Sequence, residues 1–66
     1  MDKEVKETLL LIVNSKIKAA ETGISYFKEE FEKTNDSRDL TQYSQNIRQK
    51  DFWGKAKRQL DEIKVD

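Results

Sequence analysis

An all-α fold, organised as a helical hairpin, is predicted by three observations. The 66-residue chain has no proline and only two glycines, Gly23 and Gly54, among residues dominated by helix formers. Its apolar residues recur every three or four positions and do not alternate as they would in a half-buried strand. One short polar cluster, Thr34-Asn35-Asp36-Ser37, interrupts that rhythm with turn and cap chemistry.

The first helix is expected over about residues 3–33. Val5, Leu9, Val13, Ile17, Ala20, Ile24, Phe27 and Phe31 follow one another in steps of three or four, which holds them on one helical face. The stripe passes Gly23 without losing phase, so one long helix of roughly 45 Å is favoured. Gly23 would cost it about 1 kcal/mol and would mark a bend or a close crossing. The competing reading makes Gly23 the C-cap of a shorter helix. Residues 34–37 form the turn, with Asp36 or Ser37 as the N-cap of the second helix. So short a connection makes that helix an antiparallel neighbour of the first.

The second half holds a phase break. Leu40, Tyr43 and Ile47 share one face, whereas Trp53, Ala56, Leu60 and Ile63 share a nearly opposite one. Two solutions exist: a break between Gln49 and Gly54, or an intact helix that serves two partners. A break is the expectation, with helical segments over about 38–49 and 52–64, Asp51 capping the second and Gly54 tolerating unusual dihedrals. The whole of 1–66 then forms a single helical domain.

Composition narrows the function. Thirteen Lys or Arg balance thirteen Asp or Glu, charged residues make up 39% and hydrophobic residues 35% of the chain, and His and Cys are absent. Thiol and imidazole nucleophiles, imidazole bases, zinc-finger ligand sets and disulfides are thereby excluded. The longest apolar run, Leu9 to Val13, is far short of a membrane span or a secretory core, which makes the expected location cytoplasmic and a membrane role unexpected. The initial Met1 favours a complete small protein over a fragment. A domain of this size buries only about 60% of its unfolded surface and ordinarily needs a staple. With disulfides impossible and soft metal ligands missing, that support is expected to come from a second subunit.

The first helix offers the surface for it. Leu10 and Ile12 flank the stripe on opposite sides, widening the apolar sector to roughly 160°, more than one partner helix covers. The predicted subunit interface is therefore Val5, Leu9, Leu10, Ile12, Val13, Ile17, Ile24, Phe27 and Phe31, most simply in a two-fold dimer that forms a four-helix bundle. Leu11 points away from the stripe as an ordinary exposed leucine.

Two charged stretches remain. Arg48, Lys50, Lys55, Lys57 and Arg58 surround Phe52 and Trp53, and cations interleaved with aromatics suit phosphates and unstacked bases. The plainer interpretation is a solvated face whose aromatics anchor the helix. Glu29, Glu30, Glu32 and Asp36 form an acidic group without a base, a calcium-loop glycine or a Glu-x-x-His signature. Tyr26, Tyr43 and the serines at 25, 37 and 44 have no activating base, and no glycine-rich phosphate loop exists. No catalytic constellation, metal site or cofactor is expected. The expected function is a non-enzymatic interaction or regulatory module that self-associates and binds a macromolecule, a protein before a nucleic acid. The alternative is an RNA- or DNA-binding bundle that uses the 48–58 cations.

Overall fold

The protein, seen in a computed structural model that describes residues 1–65, consists of two helices packed as a hairpin: α1 (Lys3–Thr34) and α2 (Ser37–Glu62). Each start is fixed by a capping aspartate. Asp2 Oδ1 accepts from the backbone N–H of Glu4 at 2.8 Å and of Val5 at 3.3 Å, satisfying donors that have no partner inside α1. Asp36 does the same for α2, accepting from the Arg38 N–H at 2.9 Å. Between the helices lie only Asn35 and Asp36. Asn35 adopts the left-handed conformation (φ 55°, ψ 26°), which asparagine tolerates better than most side chains, and its N–H donates to the Phe31 carbonyl at 2.8 Å.

α1 runs through Gly23 unbroken, so the C-cap alternative for that residue does not occur. The expected break in α2 is likewise corrected. α2 is continuous through 49–54, Asp51 lies inside it and caps nothing, and Gly54 has no positive φ. The apolar phase break is accommodated without bending the chain. The line of α2 that meets α1 passes through Tyr43, Asn46, Trp53 and Leu60, all half-buried and spaced by three, seven and seven residues. Asn46 occupies the position that a hydrophobic residue would need to keep the pattern in phase. Leu40 and Ile47 fall to one side of this line, Ala56 and Ile63 to the other.

The antiparallel register is set by close approaches along the length. Near its middle, Gly23 lies directly under the side chain of Asn46. At the open end, Lys6 Nζ donates to the Ile63 carbonyl at 2.7 Å, and the N-terminal ammonium donates to the Lys64 carbonyl at 3.2 Å. The last turn of α2 has no basic residue of its own, so the first turn of α1 supplies the cation its terminal carbonyls favour.

Burial is thin. Val13 and Ala20, at 5% and 3% exposure, are the buried residues among those described, and both sit on α1 against α2. The hairpin measures 51 × 14 × 11 Å and exposes 5277 Å². A globular chain of the same mass exposes about 4,400 Å².

Candidate interaction surface

Two helices side by side leave two broad sides, one on each side of the plane through their axes. The Gly23–Asn46 contact identifies one of them, here called the front. Stepping from Gly23 by threes and fours gives Val5, Leu9, Ile12, Lys16, Ala19 and Tyr26 on α1. The same steps from Asn46 give Gln42, Gln49, Ala56 and Ile63 on α2, beside Trp53 and Leu60, whose inner edges already meet α1. Between Val5 and Tyr26 and between Gln42 and Ile63 these lines carry one charge, Lys16; the next step of the α1 line, near the turn, is Glu30. On the back, the corresponding lines carry Lys3, Glu7, Glu21, Lys28 and Glu32 on α1 and Asp51, Arg58 and Asp61 on α2. Across this back, Lys50 Nζ lies 3.8 Å from Glu21 Oε2, with both side chains about half exposed. A shallow groove near the turn, lined by Phe31, Leu40 and Tyr43 with Lys28 and Glu32, lies on the same side.

The nine residues expected to meet a second subunit are thus divided between two tasks. Val13 is corrected outright. It belongs to the chain's own core, because α2 covers it within a single copy. Leu10, Ile17, Ile24, Phe27 and Phe31 are half-buried along the intrachain contact. Val5 and Ile12 remain open at 50% and 48% exposure, and Leu9 between them is half-buried. Sequence reasoning treated the wide sector as one surface. It is two adjoining seams, one facing α2 and one on the front.

The five cations of 48–58 do not share one face. Lys50 turns toward α1 and Glu21, whereas Arg48 and Lys55, seven residues apart, lie on the outer side of α2. Acids stand at i±4 to three of the five: Asp51 before Lys55, Asp61 after Lys57 and Glu62 after Arg58. The aromatic pair serves the helix itself. Trp53 is half-buried, its indole N–H donates to Gln49 Oε1 at 3.1 Å, and the Phe52 ring meets it edge-on at 5.0 Å while staying 61% exposed.

The acidic group is partly spent on the turn. Asp36 binds the Arg38 guanidinium at 2.8 Å, and this side-chain hydrogen bond, aided by the Arg38 backbone N–H, holds its carboxyl below the ordinary carboxylate range. Thr34 Oγ1 lies 2.9 Å from Asp39 Oδ2 and from the Glu30 carbonyl, and it accepts from the Asp36 N–H. Because the folded pKa of Asp36 is depressed, its contribution is present above the unfolded value near 4 and is lost as pH falls through the folded one. Asp36→Asn, which keeps a capping oxygen, is expected to lower the melting temperature at pH 7. That gap from the native chain should close on acidification from pH 5 to pH 2. A gap constant over that range would remove the ion pair from the account.

Among the described residues no three metal-capable side chains converge, and no helix is long and apolar enough to cross a membrane. Comparison with protein-family models, curated proteins and solved structures finds no match.

Proposed function

We propose that this protein is a non-enzymatic interaction module that works as a self-associated helical hairpin and acts by binding a macromolecular partner, a protein before a nucleic acid. The observation that carries the reading is the poverty of the single-chain core. Val13 and Ala20 are buried while Val5, Ile12, Leu40 and Ile47 stand between 38% and 50% exposed. A hairpin with so little interior is marginal alone, and a second copy would supply the missing burial. A regulatory or adaptor role suits a chain without thiol, imidazole or phosphate loop, and the cytoplasm is its proposed location. The nucleic-acid alternative draws less support, since its cations are divided between two sides and interspersed with acids.

Sedimentation equilibrium at micromolar concentration is expected to return twice the chain mass of 7.8 kDa. A well-folded monomer at that concentration would overturn the proposal.

A further inference from the structure

Self-association leaves open which side meets the second copy and in which direction. We infer, resting on that reading, that the front is the dimer face, with the two-fold axis parallel to the helices and both turns at the same end.

Charge identifies the side. In a chain that is 39% charged, the two front lines between Val5 and Tyr26 and between Gln42 and Ile63 carry only Lys16. Interface centres are depleted of charge in this way, whereas charges brought together on the back would have to be desolvated. The area agrees. The hairpin exposes about 900 Å² more than a globular chain of its mass, close to the roughly 800 Å² that each partner buries in a standard interface.

Direction comes from how the front is graded along its length. Its open end is apolar, with Val5, Leu9 and Ile12 on α1 and Ala56, Leu60 and Ile63 on α2. Toward the turn, α2 becomes amide-rich through Gln42, Asn46 and Gln49, with Gln45 beside them in one shallow groove. An axis parallel to the helices sets apolar end on apolar end, and lays the α2 amides of one copy on the turn half of the other copy's α1, around Ala19, Gly23 and Tyr26. It also places α1 of one copy against α2 of the other in antiparallel sense, the arrangement of an up-down-up-down bundle. An axis across the helices would stack α1 on α1 and α2 on α2, laying Leu9 and Ile12 on the turn half of the other α1 and the α2 amides on Ala56 and Leu60.

Residue levels can then be read from the register. Gly23 with Asn46 and Lys6 with Ile63 put Leu9 level with Leu60, Ile12 with Ala56 and Lys16 with Trp53. Lys16, the one front charge between Val5 and Tyr26, therefore meets the second copy at an indole, a surface that accepts a cation without a counter-ion.

Two measurements test the face and the direction separately. Ile12→Glu on the front is expected to raise the dimer dissociation constant about 30-fold or more, and Ile47→Glu on the back to change it little. Circular dichroism confirms that each variant remains helical. Loss of the dimer in Ile47→Glu but not in Ile12→Glu would overturn the face while self-association stands. A monomeric native chain would instead overturn the underlying reading. Because the chain has no cysteine, Ile12→Cys and Ala56→Cys preparations mixed under oxidising conditions report the direction. The crosslink between positions 12 and 56 should predominate, and a dimer that persists without it would overturn the parallel axis.

Discussion

Gly23→Ala is expected to destabilise the hairpin by about 1–2 kcal/mol, while Gly54→Ala stabilises it by about 1 kcal/mol. Both glycines lie inside helices, and neither has a positive φ. On propensity alone both replacements should help by the same amount. What separates them is the space into which the new methyl points. At Gly54 nothing lies within 4 Å of an added Cβ. At Gly23 the methyl would fall 2.6 Å from Asn46 Cγ and 2.9 Å from Nδ2, and closer still to Oδ1. The whole amide would have to leave, giving up the bond from Nδ2 to the Gln42 carbonyl at 2.8 Å, or the helices would have to part. Asn46→Ala removes the obstacle, so Gly23→Ala combined with Asn46→Ala should regain at least native stability. Thermal melts of the four chains give the coupling energy, expected at about 1–3 kcal/mol. Independent, additive effects would show that the two residues do not touch.

That pair also shows where the sequence stopped being legible. The α1 periodicity was readable because its apolar residues are frequent and in phase, so both the length of the helix and the turn at 34–37 obey simple rules. In α2 the same rule misled. Leu40, Tyr43 and Ile47 disagree in phase with Trp53 through Ile63, and a break was the economical inference from hydrophobicity alone. The intact helix instead places the polar Asn46 on its contact line, opposite a residue with no side chain. A glycine on one helix and an asparagine on another announce their relation only when the register is known. The candidate surface was half legible for a related reason. A helical wheel gives the width of the apolar sector around α1 but does not say which part the chain's own second helix covers.

Val13→Asp is expected to abolish the fold, whereas Leu11→Asp, two residues earlier on the same helix, should change stability by no more than about 0.5 kcal/mol. Both replacements swap an aliphatic side chain for the same carboxylate in the same helix, so net charge changes equally, and helix propensity penalises Leu11→Asp the more of the two because leucine is the better helix former. Burial is what reverses that order, since Val13 is 5% exposed and Leu11 is 71% exposed. At position 13 the carboxylate either stays ionised without a partner or takes up a proton at a raised pKa. Either course costs several kcal/mol. A chain of this size has only a few kcal/mol of stability in total, and Ala20 is the one other buried residue of α1. Helix content measured by circular dichroism at 222 nm should therefore collapse for Val13→Asp and persist for Leu11→Asp. Equal losses would mean that the two positions are equally exposed in solution and that α2 does not pack on the face of α1 described here. Equal retention would mean that the helices stand without their mutual contact, which hairpins of this length, held by so few buried groups, are not expected to do.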